Sequence, residues 1–162
     1  MPHDVTLIDV TDRTGAVTAP QWLAAAESLH RDLRPQLPAD YAAAMARVFA
    51  SGGRLIVAAH DDAAVGLAVW RVLENTMFGP FLYVDDLVTD SALRSRGVGK
   101  ALLSRCEAIA VELGCREFVL DSGVQRAQTH RFYFREGLVV RAFNFGKTLP
   151  PPPPSPPVPS ET

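Results

Sequence analysis

The stretch Arg94-Ser95-Arg96-Gly97-Val98-Gly99-Lys100-Ala101 decides how this chain is read. It stands between a strand-like run, Phe81 to Thr89, and a helical stripe of Val98, Leu102, Cys106, Ile109 and Leu113. The first N–H groups of a helix have no partner within it, so they bind anions. Glycine there lets a ligand approach without a Cβ in the way. Arg94 and Arg96 add charge-assisted donors. One strand-to-helix turn therefore carries every part of a pyrophosphate cradle.

The pattern continues on both sides of the cradle. Upstream, Val5 to Val10 alternates as a strand, and Trp22, Ala26, Leu29 and Leu33 recur at helical spacing behind Pro20. Asp40 to Ala50 predicts a second helix with Tyr41, Met45, Val48 and Phe49 on one face, ended by Gly52-Gly53. Leu55 to Ala59 and Val65 to Val72 read as strands joined at Asp61-Asp62, a hairpin signal. Downstream, Gly114 reads as a left-handed helix cap, Glu117 to Leu120 as a short strand, and Gln125 to Glu136 as a helix closed by Gly137. Leu138 to Phe145 reads as a last strand. This order predicts one α/β domain over residues 5–149, with a parallel crossover unit in its C-terminal half. Eight of the ten residues from Pro150 to Pro159 are proline, so residues 150–162 are expected to form a disordered, extended tail. Its P-x-x-P spacings suit an SH3-like groove.

Composition removes several function classes. The chain has 162 residues, with 16 Lys plus Arg against 18 Asp plus Glu, a net charge of −2. Such a balance gives no broad cationic field for gripping nucleic acid. Cys106 and Cys115 lack zinc-site spacing, so no metal is expected, and they read as reduced thiols. No apolar run reaches the ~18 residues of a membrane span, and Met1 to Asp4 lacks a secretory layout, which leaves the cytoplasm as the expected location.

Among anion cradles, the P-loop fails because Gly146-Lys147-Thr148 lacks the required upstream glycine. The dinucleotide fingerprint fails because Leu102 stands at its third glycine. The pattern that fits is [QR]-x-x-G-x-[GA], through Arg94, Gly97 and Gly99. With Leu87-Val88-Thr89 before it and Arg131-Phe132-Tyr133-Phe134-Arg135-Glu136-Gly137-Leu138 after it, the sequence resembles the GNAT superfamily of acyl-CoA-dependent N-acetyltransferases. The resemblance is good from about Leu55 to Phe145; the first fifty residues agree only in element order.

The resemblance implies a mixed, mostly antiparallel sheet with a splayed parallel pair flanked by helices. It also implies transfer of an acetyl group from acetyl-CoA to a primary amine of a small molecule, by direct attack. Leu87, Val88 and Thr89 would hold the pantetheine arm, and Arg94, Ser95, Arg96, Gly97, Val98, Gly99 and Lys100 the pyrophosphate. Arg126 stands where the family often has an Asn that helps hold CoA, and it is assigned to a phosphate. An alkyl ammonium, with a pKa near ~10, must lose a proton before it attacks. By similarity to diamine acetyltransferases, Asp85 is the base and Asp86 a substrate anchor, although strand alternation leaves open which of the two faces the cleft. Tyr133 is expected to protonate the departing thiolate, and Asn75 is assigned to substrate binding. A non-catalytic acyl-CoA sensor and a protein or peptide N-acetyltransferase are the alternative readings, and a homodimer is compatible with either.

Overall fold

A computed structural model describes residues 5–93 and 96–153. Five strands form one sheet in the order β1-β2-β3-β4-β5: β1 Thr6–Asp9, β2 Arg54–His60, β3 Ala63–Asn75, β4 Gly79–Thr89 and β5 Glu117–Leu120. The first four pair antiparallel and β5 joins β4 in parallel. Helices α1 (Pro20–Leu33) and α2 (Tyr41–Ala50) precede β2, α3 (Val98–Glu112) connects β4 to β5, and α4 (Ala127–Arg135) follows β5.

Both faces of the sheet centre are covered, which explains the unbroken apolar runs of β2 and β3. Leu55, Val57, Leu67 and Val69 pack under α1 and α2 with Leu29, Met45 and Phe49. Ile56, Ala58, Ala68, Leu82 and Val84 face α3 through Val98, Leu102, Cys106 and Ile109. The alternation along β2 and the first half of β3 therefore assigns each buried residue to one of two cores, not to core or solvent. The Asp40 carboxylate caps α2 by accepting from the Ala43 N–H at 2.9 Å. Gly52, Gly114 and Gly137 adopt left-handed φ of 100°, 72° and 87°, where each helix ends, as the sequence predicts. The β2–β3 connection is the expected Asp61-Asp62 turn, with Asp61 itself at φ 50°.

One predicted element is absent: Leu138 to Phe145 forms no strand. Past Leu138, whose N–H closes α4 on the Tyr133 carbonyl at 3.0 Å, the segment makes no backbone hydrogen bond among the described residues. Its alternating apolar residues signal strand propensity, but a strand exists only where a second backbone supplies the ladder. Only side chains tie it to β5, through an Arg141–Glu117 ion pair at 2.8 Å and an Asn144–Asp121 hydrogen bond at 2.7 Å. Pro150 to Pro153 are irregular and exposed, and the rest of the proline stretch lies outside the described residues.

Candidate active site

The parallel pairing of β4 with β5 is short. Phe81 to Val84 pair with Glu117 to Leu120, and beyond Val84 strand β4 continues to Thr89 paired only with β3. One backbone edge of β4, from Asp85 to Thr89, is thus open toward a cleft. Leu87, Val88 and Thr89, expected along the pantetheine arm, lie on that open stretch.

At its far end stands the start of α3. Gly97 is the N-cap, at φ 89°, and no side chain caps the helix. The first bond to close the helix is Ala101 N–H to the Gly97 carbonyl at 2.9 Å, and the N–H groups of Val98, Gly99 and Lys100 have no backbone partner among the described residues. A Cβ at Gly97 would meet nothing within 4 Å, and one at Gly99 only Phe132 at 3.4 Å and Thr89 at 3.6 Å. Space is therefore open above Gly97, while Gly99 lies in ordinary van der Waals contact range of Phe132 and Thr89. Arg96 is exposed beside them, and Lys100 reaches Glu136 at the end of α4, 3.7 Å away. Arg94 and Ser95, the other two residues expected in this cradle, lie outside the described residues.

A cleft of about 110 Å³ opens where β4 and β5 separate. Asp85, Asp86 and Leu87 line it from β4; Asp121, Ser122 and Gly123 from the end of β5; Arg126, Thr129 and Tyr133 from α4; and Arg34 from the end of α1. A bulge brings both β4 acids to it. Pairing passes from Val69↔Asp86 to Trp70↔Val84, which skips Asp85 and cancels the alternation that separates neighbouring side chains. Asn75 is not among the lining residues. It sits in the β3–β4 turn, where its side-chain oxygen accepts from the N–H groups of Met77 and Phe78.

The three carboxylates have different partners. Asp85 is clamped by Arg71, whose Nε and Nη2 donate to Oδ2 at 2.8 and 2.6 Å. Asp86 accepts from Arg34 Nε at 2.6 Å and pairs with His30 Nε2 at 2.9 Å. Burial raises the Asp86 carboxyl pKa, but the hydrogen bonds from His30 and Arg34 prevail and hold it below the usual carboxylate value. Among the described residues, Asp121 accepts from neutral donors only, the Tyr83 hydroxyl and the Asn144 amide, each 2.7 Å from Oδ2. Burial, with the Asp121 hydrogen bond behind it, pushes the Tyr83 phenol up, so this donor stays protonated.

Tyr133 is buried, yet its hydroxyl has no hydrogen-bond partner among the described residues. Burial raises its pKa against the opposing charge of Arg126, and the phenol therefore remains a proton donor at neutral pH. Among the described residues, the Ser122 hydroxyl, just past β5, is buried without a partner.

Two residues escaped the sequence reading. His30, 2% exposed, bridges the Tyr41 hydroxyl at 3.0 Å and Asp86. Its helix is 56 residues from Asp86, and no local pattern marks the pair. Asp121 carried a legible signal: an acid one step past a parallel strand's C-terminal end, where open α/β sheets place ligands.

Three comparisons bear on this geometry. The Acetyltransferase (GNAT) family model matches residues 21–137. An uncharacterized N-acetyltransferase, YhdJ, of Bacillus subtilis is 39% identical over 72 residues, covering 44% of this chain and 51% of that protein. Aminoglycoside N(6')-acetyltransferase type 1 of Stenotrophomonas maltophilia is 31% identical over 85 residues, covering 50% of this chain and 56% of its own. The chain thus spans about half the length of these curated relatives. The structure of aminoglycoside N-acetyltransferase AAC(6')-Iy in complex with CoA superposes with a TM-score of 0.73 at 18% identity, covering 92% of this chain and 99% of that one.

Proposed function

The chain belongs to the acetyltransferase (GNAT) family, and from that premise we propose that it moves an acetyl group from acetyl-CoA to a primary amine of a small molecule. The observation that carries this reading is the splayed end of β4. There, one open strand edge runs from a carboxylate-lined cleft to the uncapped start of α3. The residues fit the co-substrate: N–H groups of Val98, Gly99 and Lys100 for the pyrophosphate, Leu87 to Thr89 for the amide-bearing arm, and Arg126 for a phosphate. Bound there, acetyl-CoA supplies an activated acyl carbon.

The amine enters as an ammonium. Arg71 compensates Asp85 and Arg34 compensates Asp86, which leaves Asp121 as the cleft carboxylate held by neutral donors only. Asp121 therefore receives the ammonium most favourably and accepts its proton. Asp85 and Asp86, each already paired with an arginine, offer the amine carboxylate oxygens as hydrogen-bond acceptors and not as free charge. The freed amine forms the C–N bond, the C–S bond breaks, Tyr133 gives its proton to the departing thiolate, and the second proton shed by the new amide nitrogen restores the phenol. The aminoglycoside acetyltransferase among the relatives makes polycationic amines the first candidates.

The test is release of free thiol from acetyl-CoA across a panel of mono-, di- and polyamines. Turnover that rises with the number of ammonium groups supports the reading. Saturable CoA binding with no turnover on any amine overturns it in favour of a sensor.

A further inference from the structure

A second cavity, of about 240 Å³, lies on the α3 side of the sheet and shares no lining residue with the cleft. It is smaller than the ~300–1,000 Å³ of pockets for drug-sized ligands and several times one water, so it suits a molecule of amino-acid size. Leu55, Trp70 and Ile109 supply its apolar lining. Three polar groups on its wall are left unmatched among the described residues. Trp70 is only 8% exposed, and its indole N–H is buried without an acceptor. A buried donor left unpaired is costly, so it marks a place where an acceptor fits. Arg54 stands directly across from Trp70 in the β2–β3 register, on the same face of the sheet. Its guanidinium donates to the carbonyls of Arg13 and Phe49, and no carboxylate offsets its charge. Arg13 and Arg105, by contrast, share Glu112, and Arg105 also meets Asp9. Asp12 caps the loop that Arg54 grips. Its Oδ1 accepts from the Thr14 hydroxyl and the N–H groups of Thr14 and Ala16, while Oδ2 takes no donor. Led by the Thr14 hydroxyl, these bonds hold its carboxyl below the usual pKa, so it is charged at neutral pH.

We propose that this cavity binds a small zwitterion, an α-amino acid with an apolar side chain. Its carboxylate accepts from the Trp70 N–H beside the Arg54 charge, and its ammonium meets Asp12 Oδ2. Its side chain packs on Leu55 and Ile109. A plain cation leaves the indole unpaired, a plain anion leaves Asp12 unanswered, and a neutral apolar molecule satisfies neither. Trp70 is also the residue at which the β3–β4 register shifts, and the next residue, Arg71, clamps Asp85. The ligand therefore sits against the strand segment that gathers the cleft acids, on the other face of the sheet from α1. Nothing in this inference uses CoA or acetyl transfer.

The experiment titrates the full chain with L-leucine and with L-phenylalanine by calorimetry, without CoA. Saturable binding of at least one of them is expected. The same molecules without the ammonium or without the carboxylate (4-methylpentanoate and isopentylamine for leucine) should each bind at least ~10-fold more weakly. Trp70→Phe keeps an aromatic ring and deletes the donor, and should weaken the amino acid at least ~10-fold. Asp12→Asn keeps the Oδ1 cap and removes the charge, so it should weaken the amino acid and leave 4-methylpentanoate unaffected. Asp121→Asn should leave amino-acid affinity unchanged, which separates this cavity from an amine held in the cleft. In a Trp22→Phe chain Trp70 is the one remaining tryptophan, and its emission should shift as the amino acid saturates. No saturable binding of either amino acid up to about 10 mM, half-molecules that match them, or Trp70→Phe and Asp12→Asn chains that bind like wild type overturns the proposal. Binding lost in Asp121→Asn overturns it as well.

Discussion

Asp121→Asn removes one negative charge at the end of β5 and little else. Asparagine keeps the shape, and its carbonyl oxygen still accepts from the Tyr83 hydroxyl, which now approaches Oδ2 at 2.7 Å. The fold and the α3 cradle therefore stay intact, and CoA affinity measured by calorimetry is expected to equal that of wild type. An ammonium about 4 Å from a carboxylate is worth ~4 kcal/mol at an effective dielectric of 20, before desolvation is subtracted. A positioned base contributes ~10²–10⁴-fold to rate, or about 3–5 kcal/mol of barrier. The expected result at pH 7 is a fall of ~10²–10⁴ in kcat/KM for the amine. At that pH only about one alkyl amine in a thousand is neutral, and the neutral fraction grows tenfold per pH unit up to a pKa near ~10. The deficit should shrink with the same slope, because solvent then supplies the nucleophile. Asp85→Asn is the control: it frees Arg71 in a compensated pair, and its loss should vary less with pH. If Asp121→Asn matches wild type at every pH while Asp85→Asn shows the pH-dependent deficit, the charge argument is wrong and the base lies on β4.

Gly99→Glu should leave thermal unfolding close to wild type, since a Cβ there makes only ordinary contacts with Phe132 and Thr89. Its carboxylate at the pyrophosphate site should weaken CoA binding at least ~100-fold through like charge, and unchanged affinity by calorimetry would put the co-substrate elsewhere. Tyr133→Phe should lower turnover by less than the ~10² common for a general acid, because a thiolate leaves readily; a pH–rate profile identical to wild type refutes its role. His30→Ala orphans the Tyr41 hydroxyl and one bond of Asp86, and is expected to cost about 2 kcal/mol or more in urea unfolding. The folded Asp86 pKa lies below the unfolded 3.8, so the unfolded chain binds the proton more readily. That contribution to stability is complete above about pH 4–5 and is lost as pH falls through the depressed folded value. Wild-type urea midpoints should drop over that acid range, and Asp86→Asn should flatten that part of the drop.

The start of α3 was legible because its physics is local. A glycine at positive φ, an uncapped helix start and a preceding strand are all set by neighbours in sequence, and Gly97, Val98 and Gly99 occupy the places their order implies. The same holds for the helix-ending glycines and the Asp61-Asp62 turn. The acids were only half legible. Alternation sends Asp85 and Asp86 to opposite faces, and the bulge that gathers them arises from the register of β3 against β4, a relation between two chains of backbone. Partner choice was not legible at all: Arg71, Arg34 and His30 reach the acids from 14 to 56 residues away.

The sequence by itself determined where helices start and stop, which residues are apolar enough for the two cores, and which helix start carries glycines and no side-chain cap. Each of these depends on a few consecutive residues. The tertiary structure alone decided which carboxylate carries an uncompensated charge, since electrostatics in the cleft is a sum over side chains from α1, β3, β4, β5 and α4. It also decided that Leu138 to Phe145 is a strand in composition and not in fact. Propensity resides in one segment, but a ladder needs a second backbone within hydrogen-bonding reach, and no property of the segment alone provides it.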